Sequence, residues 1–280
     1  MSEQDGSNDK YMVPALERGL RMLQEFSRDN AALNAPELAR RLELPRATVF
    51  RMLNTLESMG YLQRVAGGSD YRLGLAVLRL GFEFLASLDL TELGRPIIGA
   101  LSEDTRLPCN IVVRDGRSIV YVAKVAPPTL LTGAVRIGTR LPAHATVLGR
   151  VLLSDLSLSE LRALYPEEQL QQHSENTPAS VMALFNLVQS DRARGHVASH
   201  GFFESSISTI AAPVRDRSNR VIAALGITVS APEIEAERQQ ALIERVCAAA
   251  DELSQLLDYR PGSVSNVTSI DSRRAGGAHA

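Results

Sequence analysis

The chain has 280 residues, 45% apolar and 22% charged, ordinary values that exclude a wholly disordered or fibrous protein. Its two Cys stand far apart with no CxxC or CxxH spacing, which excludes a disulfide framework or a zinc finger. The net charge of −2 hides an asymmetry: Lys10 to Arg72 holds ten Lys or Arg against seven Asp or Glu, so a basic front of +3 stands against −5 for all the other residues together, as suits one module that meets phosphate and another that does not.

The opening MSEQDGSNDK has neither a basic n-region nor an apolar h-region, and no apolar run nears the ~18 residues of a membrane span. A soluble, cytoplasmic protein without a membrane partner is expected, with residues 1–10 disordered. Val13, Leu16, Leu20, Leu23 and Phe26 recur at steps of three or four, one apolar face of a helix entered through Pro14 and ending near residue 29 or 30. Asn34 and Glu37 form a capping-box pair for a second helix, with Leu38 and Leu42 inward. Pro45 opens a third helix, which Gly60 ends, and Val49, Met52, Leu53 and Leu56 form its core face.

The opposite face of that third helix carries Arg46, Ala47, Phe50, Arg51 and Asn54, with Thr48 at its border. Arg can read guanine and Asn adenine, and either can hold phosphate. A merely solvated surface has the same composition. Residues 61–65 and 71–73 then read as two strands joined by Ala66-Gly67-Gly68-Ser69-Asp70. Helices, a reading helix and a hairpin in this order form a winged helix-turn-helix over residues 11–74. Arg64 and Arg72 flank its wing as candidate phosphate contacts. A helical protein-interaction module of the same shape is the alternative.

Residues 75–88 carry Leu75, Val77, Leu78, Leu80, Phe82, Phe84, Leu85 and Leu88 on more than one side, so this linker (75–90) must be covered by a second subunit or between domains. Residues 91–260 form the second module. A helix at 91–105 precedes strands at 109–114, 119–125 and 130–137, the first two turning at Asp115-Gly116. Helices at 145–153, 159–164 and 181–195 follow. Strands at 207–214 and 220–229 come next, then a helix opened by Pro232 with Leu242, Ile243, Val246, Leu253 and Leu257 inward. Helices bracketing an antiparallel sheet make the class α+β. Residues 261–280 read as a disordered tail.

No phosphate-loop, dinucleotide, zinc-protease or nucleophile-elbow motif is present, so no catalytic residue, metal or cofactor is assigned. His196 and His200 lie four apart in strand-like sequence, where that spacing spans about 13 Å and does not suit a shared metal. Cys109 reads as a small core residue. An enzyme using His144 or Cys109 remains the rival from another class. One segment resembles a ligand site: Gly138 to Thr146, with Arg140 and His144, leads into a helix whose free N–H groups favour a carboxylate. A plain capped helix is the alternative.

The runs LPRATVFRMLNTLESMGYLQR (44–64), YRLGLAVLRLG (71–81), GTRLPAHATVLGRVLLS (138–154) and STIAAPVRD (208–216) together resemble the IclR family of bacterial transcriptional regulators, over roughly Val13 to Tyr259. The resemblance implies a winged-helix reader of double-stranded operator DNA, a dimerising linker helix, a GAF/PAS-like effector domain and a homodimer or homotetramer. It implies control of a catabolic operon, as repressor or activator, by a small organic acid that is aromatic in some members. Family pocket positions fall on Leu130, Leu141, Val147, Leu148, Ser199, Ile207, Thr209, Thr228 and Ser230. Where many members carry an acidic stretch after Gly195, this chain has Ser199 to Glu204, so a less acidic pocket is expected.

Overall fold

The computed structural model describes residues 12–27, 29–86, 89–127, 135–230 and 234–258, apart from the side chains of 81–86. Residues 1–10 and 261–280, Leu130 and Pro232 lie outside them, as do the side chains of Phe82, Phe84, Leu85 and Leu88. The chain divides into two compact units, Met1–Ser87 and Leu88–Ala280.

The first unit runs α1 (Pro14–Gln24), β1 (Leu33–Asn34), α2 (Ala35–Leu42), α3 (Arg46–Ser58), β2 (Leu62–Arg64), β3 (Asp70–Leu73) and α4 (Leu75–Ala86). Its core joins Met22, Phe26, Leu38, Leu42, Val49, Leu53, Leu62 and Tyr71. The expected stripe on α1 is corrected. The helix buries Met22 and follows with Phe26, whereas Val13, Leu16 and Leu20 stay 59%, 61% and 53% exposed. α1 packs chiefly against α2, so its outer face stays open. The helix also ends earlier than the stripe suggested, at Gln24.

Asn34 caps α2, its Oδ1 accepting the Glu37 N–H at 3.0 Å. The reciprocal half of the box is missing, because the Glu37 carboxylate turns to Arg40 and Arg41, each at 2.7 Å. Glu43 at φ 55° and Gly60 at φ 77° take the left-handed turns that end α2 and α3. The wing sheet has the order β1-β3-β2. The two-residue β1 is too short to leave a sequence pattern.

The second unit runs α5 (Asp89–Thr105), β4 (Cys109–Asp115), β5 (Ser118–Val125) and β6 (Arg140–Pro142). A 3-10 turn (Ala143–Ala145), α6 (Val147–Leu153), α7 (Leu158–Leu164) and α8 (Val181–Arg194) follow, then β7 (Val197–His200), β8 (Ser208–Arg215), β9 (Val221–Val229) and α9 (Ala236–Leu256). The sheet order is β6-β5-β4-β9-β8-β7, antiparallel throughout. Side chains alternate between its faces. Ile111, Leu225 and Ile227 are buried on the face toward α5 and α9, where a Cβ on Gly94 would meet Ile111 at 2.4 Å and Leu253 at 3.2 Å. Gly94 therefore admits the close packing of α5 and α9. Val112, Tyr121, Ala211 and Ala224 serve the other face, beneath α6, α7 and α8.

Two expected elements move. Of the strand placed at 130–137, residues 135–137 are not strand, and the edge strand is β6. Gly138 at φ 86° turns the chain first, and its N–H donates to the Tyr121 carbonyl at 2.8 Å. The helix expected from residue 145 starts two residues later. Thr146 is extended (φ −123°, ψ 148°) and caps α6 by accepting the Gly149 N–H at 3.1 Å.

Candidate functional site

Two surfaces stand out, one in each unit. On α3 the core stripe buries Val49 and Leu53 completely. By the helical period of about 3.6 residues, Arg46, Ala47, Phe50, Arg51 and Asn54 turn outward, and all five are exposed, with Thr48 half-buried at the border. Arg46 and Arg51 make no ion pair among the described residues. Phe50 stays 53% exposed. Two unpaired guanidinium groups, an amide and an exposed ring on one rigid helix suit a polyanionic partner with stacked bases.

The wing cations are held differently. Arg64 pairs with Glu57 at 3.4 Å, donates to the Tyr71 hydroxyl at 2.6 Å and lies 4.9 Å over the Tyr71 ring. Arg72 donates to Gln63 at 3.2 Å across the β2–β3 pair and is otherwise open. Arg64 is thus pre-positioned, and any phosphate it meets competes with Glu57.

In the second unit, a cavity of about 440 Å³ lies where the start of α6 meets β4, β5, β8 and β9. That is within the usual range for small-molecule sites, about 300–1,000 Å³. Its lining includes Leu141, Val147, Leu148, Ser199, Ile207, Thr209, Thr228 and Ser230. Every expected pocket residue except the undescribed Leu130 therefore meets there. Strand register explains part of this: Ser199 pairs with Thr209 and Thr209 with Thr228, so three hydroxyls cross β7, β8 and β9 in one row. None of the three donates or accepts a side-chain hydrogen bond among the described residues.

Glycines set the cavity's shape. A Cβ on Gly226 would sit 2.6 Å from the Ile210 carbonyl oxygen and 3.0 Å from Leu148, so glycine lets α6 lie close to β9. A Cβ on Gly149 would lie 2.0 Å from the Ala143 carbonyl oxygen, which presses α6 onto the preceding turn. The N–H groups of Val147 and Leu148, first in the helix, have no intrahelical partner.

Sequence reasoning missed Arg106, Asn110, Tyr121, Lys124 and Glu204, which also line the cavity. Burial pushes the Tyr121 phenol up to about 12, and the Glu204 carboxylate adds to the rise. Burial lowers the Lys124 ammonium, with Arg136 contributing, and its Nζ donates to the Val135 carbonyl at 2.6 Å. Asn110 is 4% exposed, and its Oδ1 accepts no hydrogen bond. Asn110 was readable as the one polar residue between Cys109 and Ile111 in an apolar strand.

Three ligand expectations change. Arg140 pairs at 2.7 Å with Asp115 at the hairpin end and is absent from the lining. His144 is buried and donates from Nε2 to the Gln171 carbonyl at 2.9 Å, and burial lowers its pKa. It serves the backbone, the other role its sequence position allowed. The cavity also keeps an acid, Glu204, further along the loop than the position of Ser199. Cys109 is fully buried, with its thiol pushed up to about 12 by burial, which suits a core residue and not a nucleophile.

Beside the cavity, Arg150 and Asp191 form a two-pronged ion pair (2.8 and 2.7 Å), exposed only 4% and 1%. The Arg150 guanidinium also lies 4.6 Å over the ring of the cavity residue Phe202. The pair joins α6 to α8. Among the described residues no group of three or more His, Cys, Asp or Glu could hold a metal, and no helix is long and apolar enough to cross a membrane.

A winged reading head with an outward cationic helix, and a second unit built around a small-molecule cavity, define the class: transcriptional regulators that bind DNA and an effector. The chain belongs to the IclR family of bacterial transcriptional regulators. The IclR helix-turn-helix domain matches residues 15–66, and the bacterial transcriptional regulator IclR C-terminal domain matches residues 82–255. The chain is 30% identical to the Pca regulon regulatory protein of Pseudomonas putida, over 90% of this chain and 86% of that one. It is 28% identical to the regulator XynR of Escherichia coli, over 89% and 98% of the two chains. The same fold occurs in an IclR homolog from Microbacterium hydrocarbonoxydans crystallised with 4-hydroxybenzoate, with TM-score 0.77, 24% identity and coverage of 87% and 99%. These relatives are regulators, and the enzyme reading has no support among them.

Proposed function

We propose that this protein controls a catabolic operon in the cytoplasm by reading its operator through α3, under the control of a small organic acid held in the 440 Å³ cavity. The observation that carries the reading is the meeting of eight expected effector residues in that cavity, with a row of unpartnered hydroxyls. The acid's carboxylate sits at the N–H groups of Val147 and Leu148, with Ser199, Thr209, Thr228 and Ser230 as neutral partners. Leu141, Ile207 and the undescribed Leu130 form its apolar wall. An aromatic acid fits this reading, since a protein of the same fold holds 4-hydroxybenzoate. Glu204 argues against a second carboxylate at its end of the cavity.

In the same reading Arg46, Ala47, Thr48, Phe50, Arg51 and Asn54 face the major groove, and Arg64 and Arg72 meet phosphate. The protein works as a homo-oligomer, a dimer or a tetramer. Support comes from Leu75, Leu78 and Leu80 on α4, which are 83%, 53% and 57% exposed in the single chain, too much apolar surface for one helix to leave open. Effector binding then changes the spacing of the paired heads through α4.

The test is fluorescence anisotropy on DNA from the protein's own upstream region. Arg51→Ala and Asn54→Ala each weaken specific binding by about 1–3 kcal/mol. Arg64→Ala weakens all DNA alike and lowers the salt slope by about one unit. Unchanged affinity in both α3 variants refutes the reading face.

A further inference from the structure

Phe50 is the least explained side chain on the outward face of α3. Elsewhere in the first unit, exposed leucines stand together: Leu16 and Leu20 on α1, and Leu75, Leu78 and Leu80 on α4. Phe50 is the one large apolar side chain that α3 exposes among its described residues. Arg46 stands about one turn before it, Asn54 about one turn after it, and Arg51 beside it. A lone exposed apolar side chain is ordinary on a protein surface. The surroundings of this one are what matter. An apolar protein partner that covered the ring would also desolvate two guanidinium groups that have no ion pair among the described residues, a cost it could not repay. A duplex repays it, because phosphates and base edges accept hydrogen bonds from both.

What the ring reads follows from its chemistry. It has no hydrogen-bonding atom, so it cannot recognise the polar groups that mark guanine, adenine or cytosine in the major groove. Among the four bases that groove displays one methyl group, at C5 of thymine. Four residues of helix rise about 6 Å, and successive base pairs lie about 3.4 Å apart. The ring therefore falls roughly two base steps from the positions that Arg46 and Asn54 reach. A polar base edge there would lose water to the ring and gain no hydrogen bond in return.

We infer that Phe50 is a specificity-determining residue, which packs on the C5-methyl of a thymine at one base pair under each reading head. This rests on the reading of α3 as the helix that enters the major groove, and it adds the base that one position of that helix selects.

The experiment uses the full-length protein and the operator located by footprinting the upstream DNA. The operator is made twice, with thymine and with deoxyuridine at every thymine position, so that the duplexes pair alike and differ only in the methyl. Anisotropy at one salt concentration gives the affinities of wild type and Phe50→Ala for each. The expected result is that wild type binds the deoxyuridine duplex about fourfold more weakly for each head that reads a thymine, as suits one methyl buried. Phe50→Ala should bind the two duplexes alike, and single deoxyuridine replacements should place the wild-type loss at one base pair per head. Equal binding of the two duplexes by wild type overturns the inference without any variant, as does a thymine preference that Phe50→Ala keeps. The underlying reading fails separately: no footprint forms, or Arg51→Ala and Asn54→Ala leave operator affinity unchanged. Either result removes the inference with it.

Discussion

Asp191→Ala should be among the most damaging single substitutions in the effector unit. It leaves the Arg150 guanidinium, 4% exposed, without its carboxylate and with only the Phe202 ring at 4.6 Å. Removing one partner of a buried pair costs about 3–5 kcal/mol, because the remaining charge stays desolvated. Arg150→Met is milder. Asp191 keeps Arg194 at 2.5 Å, a side chain 52% exposed to water, and Met fills much of the vacated volume. Its cost should be about 1–3 kcal/mol, and the double variant Arg150→Met/Asp191→Leu should return most of the loss, since an apolar replacement of a buried pair is often neutral. The assay is urea unfolding of the full chain followed by circular dichroism, since the chain has no Trp to report. An Asp191→Ala cost below about 1 kcal/mol, or one no larger than that of Arg150→Met, would mean that the buried guanidinium does not depend on Asp191. Because Arg150 follows Val147 by one helical turn, the same variants should also weaken effector binding.

Two further outcomes follow from the first unit. Glu37 is held down at about 2 from 4.5 by its hydrogen bonds to Arg40 and then Arg41, so its contribution to stability is present above pH 4.5 and is lost as pH falls toward 2. Glu37→Gln should flatten that part of the stability profile, and an unchanged acid limb contradicts the pairing. Sedimentation at micromolar concentration should show a dimer or larger species, and Leu78→Glu should shift it toward monomer. A stable wild-type monomer refutes the oligomer.

The outward face of α3 was legible because burial and period leave little choice once Val49 and Leu53 are inward. The row Ser199, Thr209 and Thr228 was legible only through family resemblance, since cross-strand pairing is set by register that no local pattern states. The stripe on α1 misled because exposed leucines at helical spacing have the same pattern as buried ones, and only packing partners distinguish them. Arg140 and His144 misled because they are near the cavity in sequence, while Asp115 and the Gln171 carbonyl claim them. Asn110 and Glu204 were missed for opposite reasons. Asn110 sits inside an apolar strand, where a disfavoured residue is itself the signal. Glu204 lies in a loop, where charge is ordinary.

Ligand in the cavity should govern DNA occupancy. The direct measurement is the affinity of the full-length protein for its upstream DNA, with and without the acid that stabilises it most, in wild type and in Thr209→Val. Thr209→Val keeps the side-chain volume and removes one hydroxyl of the row that lines the cavity. The acid should shift wild-type DNA affinity, and Thr209→Val should bind DNA normally without acid but need a markedly higher acid concentration for the same shift. Equal acid sensitivity in the two proteins, or a wild-type DNA affinity that no stabilising acid changes, rules out effector control through the cavity.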